Sequence, residues 1–162
     1  MEIGRGLLAL FNRNYDMKIT NRRAFHDYQI LEKFEAGINL IGAEVKSVKG
    51  GRINLVGAFA RIIGSEVYLV AARIPLYEYA RPEGYDEART RKLLLHKSQI
   101  IALKSKIQQS NLTIVPLSCY TTRGLVKLEL ALARGKKKYD KRETIKRRDL
   151  EREVERDLRG KV

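Results

Sequence analysis

Two apolar runs of nine residues, 112 to 120 and 125 to 133, flank Thr121-Thr122-Arg123-Gly124. A link that short turns the chain back antiparallel to itself, so the segment predicts a long β-hairpin. Pro116 sits inside the first run and cannot donate to a ladder, which puts it at an edge or a bulge. Shorter runs of the same kind precede it. Tyr28-Gln29-Ile30-Leu31-Glu32-Lys33-Phe34-Glu35 leads through Ala36-Gly37 to Ile38-Asn39-Leu40-Ile41, which reads as another hairpin. Ile53-Asn54-Leu55, residues 58 to 63 and residues 66 to 70 read as strands, with Gly64-Ser65 turning between the last two.

Between the strands, Glu44-Val45-Lys46-Ser47-Val48-Lys49 is polar and runs into Gly50-Gly51, the mark of a helical turn ended by glycine. Residues 75 to 86 hold two prolines, three tyrosines and a glycine and read as a surface loop. Residues 89 to 109 carry Leu93, Leu94, Ile100, Ile101, Leu103 and Ile107, nearer a period of 3.6 than 2 beyond His96, so one helix is expected there. The fold class these elements predict is mainly β with flanking helices: a small OB-type antiparallel β-barrel, an architecture that commonly presents a face to oligonucleotides. Residues 1 to 20 lack a period and read as an N-terminal arm. The patterned sequence begins just after Met17, so the expectation is that either Met17 is the natural start or the first sixteen residues are dispensable.

Composition narrows the function. The 162 residues suit one domain, and 44% hydrophobic content supplies a core under a surface of net charge +14. Cys119 is the single cysteine, which excludes a disulfide framework or a cysteine-rich zinc site and fits a cytoplasmic setting. No apolar run reaches the roughly 18 residues of a membrane span.

Composition shifts at Arg134. From 134 to 162 there are 13 basic and 7 acidic residues, against 20 and 12 in the 133 before them. At spacing four the tail shows a basic line (Arg148, Arg152, Arg156), an acidic line (Asp149, Glu153, Asp157) and a thin apolar line (Leu150, Val154, Leu158). Those lines make a helix, but one narrow apolar stripe buries little, so the expectation is a tail mobile in the free protein and ordered on a polyanion. The chain thus divides into an arm (1–20), an OB-like β-barrel RNA-binding domain (21–133) and a basic tail (134–162), disordered or helical.

Basic residues cluster at Arg22-Arg23, at Arg89-Thr90-Arg91-Lys92 and from 134 to 148, where they can neutralise phosphates. Tyrosines at 15, 28, 77, 79, 85, 120 and 139 lie near these clusters and can stack on unpaired bases, although Tyr68 and Tyr120 fit the core better. Glu44-Val45-Lys46 with Asp27 upstream has the form of half a metal-dependent nuclease site, yet lacks a third acidic ligand. His26 and His96 make a poor zinc set with one distant cysteine. No P-loop, nucleophile elbow or dinucleotide fingerprint occurs, so no enzyme activity, cofactor or metal is expected.

Asn21-Arg22-Arg23-Ala24, His26-Asp27-Tyr28, Phe34-Glu35-Ala36-Gly37, Gly42-Ala43-Glu44-Val45-Lys46-Ser47, residues 89 to 97 (RTRKLLLHK) and residues 133 to 142 (ARGKKKYDKR) resemble, in order and spacing, the small protein B (SmpB) family of bacteria. The resemblance covers residues 19 to 156. Phe25, where the family usually has a basic residue, and the 84–88 stretch depart from its pattern. The resemblance implies an OB-type barrel that binds the tRNA-like domain of transfer-messenger RNA and delivers it to stalled ribosomes for trans-translation. It also implies a tail that enters the decoding centre and the empty mRNA channel against small-subunit rRNA. By the same resemblance, Asn21, Tyr28, Glu35, Arg91, Lys92, Leu93 and Lys127 belong to the RNA-binding side, with Arg22 and Lys46 beside them. Gly135, Lys136, Tyr139, Asp140, Lys141 and Arg142, joined by Lys137, belong to the ribosome-interacting tail.

Overall fold

The computed structural model describes residues 16–160, except the side chains at 138–140, 143–144 and 158–160. In chain order its elements are β1 (Met17–Thr20), α1 (Arg22–Asp27), β2 (Tyr28–Ile38), α2 (Gly42–Lys49), β3 (Phe59–Ile63), β4 (Glu66–Val70), β5 (Arg91–Leu94), α3 (Lys97–Ser110), β6 (Thr113–Thr122), β7 (Leu125–Gly135) and α4 (Lys138–Gly160). Expectations for the first fifteen residues, Tyr15 among them, and for the side chains of Tyr139, Asp140 and Leu158 lie outside the described residues.

The long hairpin forms as its sequence dictates. Arg123 and Gly124 both take positive φ, the backbone twist that a two-residue connection between right-twisted strands requires. β6 and β7 then pair from Thr122↔Leu125 to Thr113↔Ala133, with a register shift between Pro116 and Ser118 where the proline interrupts the ladder. β7 runs on to Gly135, two residues past the composition shift, because Gln29 and Tyr28 of β2 pair with Arg134 and Gly135.

Ala36-Gly37 is not a turn. β2 is one continuous strand that pairs with β7 from Tyr28 to Gly37 and then with β5 at Gly37↔Leu94 and Ile38↔Leu93. A Cβ at Gly37 would stand 3.3 Å from Leu94 Cβ, so the glycine serves the close approach of the new partner strand. Three other expectations are corrected. Arg91–Leu94 is a strand, and helix begins only at Lys97. Residues 53–55 contribute one isolated bridge, Asn54↔Arg73, in place of a strand. Residues 17 to 20, read as part of the arm, form a strand, since Met17–Thr20 pairs along Ser118–Thr121 of β6; four residues are too few to display a period, and the partner strand stabilises the extended form.

All pairings are antiparallel, and they return on themselves in the order β6–β3–β4–β5–β2–β7–β6, with β1 laid on the far end of β6. Ile114, Cys119, Leu128, Leu130 and Leu132 face one core with Val67, Leu69, Ile74 and Leu93. Burial there pushes the Cys119 thiol up to about 12, so it remains a thiol at physiological pH. Val115, Leu117, Ala131 and Ala133 face the other way, where Ala24 and Phe25 of α1 cover them. This two-sided covering explains why β6 is buried from Ile114 to Thr121 and reads as a continuous apolar run rather than an alternation. Each large side chain so buried contributes roughly 1.5–3 kcal/mol.

Candidate nucleic-acid interface

Asn21 begins at the bulge. Its side-chain oxygen accepts from Ala24 N to cap α1, and its amide donates to Leu55 O (3.1 Å) and Pro116 O (3.0 Å). It is 5% exposed and joins three segments of the body. α1 then projects Arg22 and Arg23 into solvent. Its last residue, Asp27, is a meeting point: His26 Nδ1 lies 2.9 Å from Oδ1, Lys141 Nζ 3.5 Å from the same oxygen, and Arg23 Nε 3.4 Å from Oδ2. The hydrogen bond from His26, with help from Lys141 and Arg23, outweighs burial and holds this carboxyl below its ordinary range. The backbone adds to the joint, since Lys136 N donates to Asp27 O (2.9 Å) and Lys136 Nζ to Phe25 O (3.1 Å). The root of α4 is therefore seated on α1, with Gly135 opposite Tyr28.

Asp27→Asn is expected to loosen that seat while changing global stability by under about 1 kcal/mol, as for a partly exposed ion pair. Hydrogen exchange is expected to speed up at residues 138–142. Unchanged exchange there would mean that the main-chain and side-chain bonds of Lys136 alone hold the joint. Because the folded pKa is lowered, the contribution is complete at neutral pH and disappears as pH falls through the depressed value.

A second cluster occupies the β2–β7–β5 face. Lys127 Nζ donates to Glu35 Oε1 (2.9 Å), and the Tyr120 hydroxyl donates to the other oxygen of Glu35. Beside them lies a groove of about 540 Å³ lined by Lys92, His96, Lys97, Lys127, Glu35 and Glu66. Lys92 pairs loosely with Glu66 at 3.5 Å across β5 and β4. Glu35 thus orients Lys127 and Tyr120, which accounts for a carboxylate on a cationic face.

Arg91 and Leu93 alternate with Lys92 on β5 and point inward, both wholly buried. Arg91 is the largest fully buried side chain among the described residues, and all three of its guanidinium nitrogens donate. Nε donates to Glu44, and the terminal nitrogens reach Ala72 O (2.9 Å), Arg89 O (2.9 Å) and Glu87 O (3.0 Å). Glu44, at the start of α2, is also wholly buried; it accepts from Ile41 N (3.0 Å) and from Arg89 (2.6 Å). Burial opposes ionisation of Glu44, but the bonds from Arg89, Ile41 and Arg91 together hold its carboxyl below the ordinary glutamate range. A carboxylate enclosed in this way has no face for a metal, and no cluster of three metal-ligating side chains occurs among the described residues. Lys46, two residues on, is exposed and places its ammonium 5.4 Å from the centre of the Tyr77 ring.

The structure therefore gathers Lys92, Lys127 and Glu35 on one face, and Tyr28, Gly135, Lys136 and Lys141 at the root of the tail with Arg22 nearby on α1. Lys46 stands by the 75–90 loop, while Asn21, Arg91 and Leu93 hold the framework. Lys137 is exposed beside the joint, and Arg142 is exposed on α4, as is every described side chain from 145 to 157. Sequence reasoning set Glu44 aside as an incomplete metal-site motif and missed its partnership with Arg91. The available signal was a carboxylate at the third position of a helix, where it caps the preceding amide.

The fold and these clusters define a small, basic antiparallel β protein whose surface chemistry suits a polyanion. The chain belongs to the SmpB family: the family model of the SmpB protein matches residues 18–160. It is 50% identical over 143 residues to the SsrA-binding protein of Sulfurihydrogenibium sp. (strain YO3AOP1), covering 88% of this chain and 94% of that one. It is 52% identical over 139 residues to the SsrA-binding protein of Mycobacterium leprae (strain TN), covering 86% and 87%. A solved structure described as "tmRNA-SmpB: a journey to the center of the bacterial ribosome" superposes with a TM-score of 0.63 at 48% identity, covering 75% of this chain and 85% of that one.

Proposed function

We propose that the protein binds the tRNA-like domain of transfer-messenger RNA and carries it to stalled ribosomes for trans-translation, acting as an adaptor and not as an enzyme, in the cytoplasm. In this reading the closed ring of strands is an OB-type barrel that grips the RNA, and α4 enters the decoding centre and the empty mRNA channel. The observation that carries it is the form of the tail: a 23-residue helix whose Lys141 reaches Asp27 on the body, whose described side chains beyond Lys141 are exposed, and which is rich in cations. A helix with so little burial needs an external partner to be worth keeping ordered.

Lys92, Lys127 and Arg22 are the direct phosphate or base contacts. Tyr28 and Lys46 flank them, while Asn21, Glu35, Arg91 and Leu93 act by holding those contacts in place. Gly135, Lys136, Lys137, Tyr139, Asp140, Lys141 and Arg142 serve the ribosome.

The test is a titration at several salt concentrations against the tRNA-like domain and an unstructured RNA of equal length. Wild-type protein is expected to prefer the folded RNA at every salt concentration. Lys92→Ala and Lys127→Ala are each expected to weaken binding and to lower the salt slope by about one unit where one phosphate contact is lost. Equal affinity for both RNAs would favour a non-specific single-stranded RNA-binding OB module instead.

A further inference from the structure

Of the described tyrosines, only Tyr79 is in the open, 81% exposed. Tyr85 is a loop anchor whose hydroxyl donates to Ile74 O (2.6 Å), and Tyr120 is buried against Glu35. Tyr77 meets Tyr79 edge to face, centroids 5.6 Å apart at 66°, and carries the Lys46 ammonium against its ring. We propose that Tyr79, backed by Tyr77 and Lys46, is a stacking site for one unpaired nucleobase of the bound RNA.

The loop is set before any ligand arrives. Ser47 Oγ donates to Pro75 O (2.6 Å), Ala80 N to Tyr77 O (2.9 Å) and Ile74 N to Glu87 O (3.0 Å), while buried Arg91 holds the carbonyls of Ala72 and Glu87. A ring held out on a pinned loop loses little freedom when a base stacks on it, and every base offers a π-face to such a ring. Charge argues against a phosphate site here. Glu78, Glu83, Asp86 and Glu87 outnumber Arg81 and Arg89 in the loop. Carboxylates repel phosphate but accept from base amino groups, so the chemistry that fits is a splayed base and not a backbone.

The inference rests on the RNA-binding reading above, and its test separates the two. Tyr79→Ala is expected to weaken binding to the tRNA-like domain by about five- to a hundredfold, the range for one lost stack, with the salt slope unchanged. Tyr79→Phe is expected to bind as wild type. Since the chain has no tryptophan, Tyr79→Trp supplies a lone fluorophore, expected to be quenched by the tRNA-like domain and not by a blunt RNA duplex. If wild type itself fails to prefer the tRNA-like domain, the RNA reading falls. If wild type prefers it while Tyr79→Ala binds equally well, or the Tyr79→Trp signal stays unquenched, the stacking site alone is overturned.

Discussion

Glu44→Gln is expected to destabilise the protein by about 3–5 kcal/mol, because it leaves the buried Arg91 guanidinium without its carboxylate. Domains of ordinary stability hold about 5–15 kcal/mol in all, so the variant will unfold at much lower urea or temperature. The cause is the asymmetry between breaking a buried pair and replacing it. Glu44→Gln with Arg91→Met removes both charges and is expected to recover part of the loss. A loss under about 1 kcal/mol in the single variant would show that Arg91 is satisfied by the carbonyls of Ala72, Glu87 and Arg89 alone. The pH dependence has a definite sign. Since the folded pKa of Glu44 is lowered, its stabilisation is complete above the ordinary glutamate range and fades as pH falls through the depressed folded value. Wild type should therefore lose its advantage over Glu44→Gln in acid and keep it at neutral pH.

Cutting the chain after Lys137 is expected to abolish ribosome rescue while leaving affinity for the tRNA-like domain within about tenfold of wild type. Residues 138 to 162 hold ten basic and seven acidic side chains, so the segment removed adds little net attraction to RNA. The position of the cut matters. A cut after Ala133 would also remove Arg134 and Gly135, which pair with β2, and Lys136, which bonds to α1. Any loss of RNA binding would then mix unfolding of the β7 end with loss of the tail. If the chain ending at Lys137 loses RNA binding as completely as rescue, the division of labour between body and tail is wrong. A triple substitution of Asp140, Lys141 and Arg142 to alanine should reproduce the loss of rescue with the body folded, and unchanged rescue would count against the tail's role.

Legibility from sequence followed the range of the interactions involved. The β6–β7 hairpin could be read because turn chemistry and apolar runs are local. The 58–63 and 66–70 strands, the helical turn ending at Gly50 and the bulge at Pro116 were legible for the same reason. Arg91–Leu94 was not, because its four residues merge into the apolar period of the helix that follows; β4 and β2 on either side make it a strand. Gly37 looked like a turn because the sequence does not reveal the Leu94 side chain packed against it. At the site, clustering located the cations, yet burial sorted them. Lys92 and Arg91 are neighbours in sequence, and the pleat turns one toward solvent and the other inward.

The amino-acid sequence by itself determined a mostly antiparallel β body of short strands, a helix-forming charged tail and a surface of net charge +14, because propensity, periodicity and charge are properties of neighbouring residues. Only the tertiary structure decided that the ladder returns on itself, that Arg91 and Glu44 neutralise each other inside it, and that the tail is seated on Asp27. The physical reason is that each joins groups tens of residues apart, 47 for Glu44 and Arg91. Whether a charge is buried and paired or exposed depends on which distant segments the closed sheet brings together.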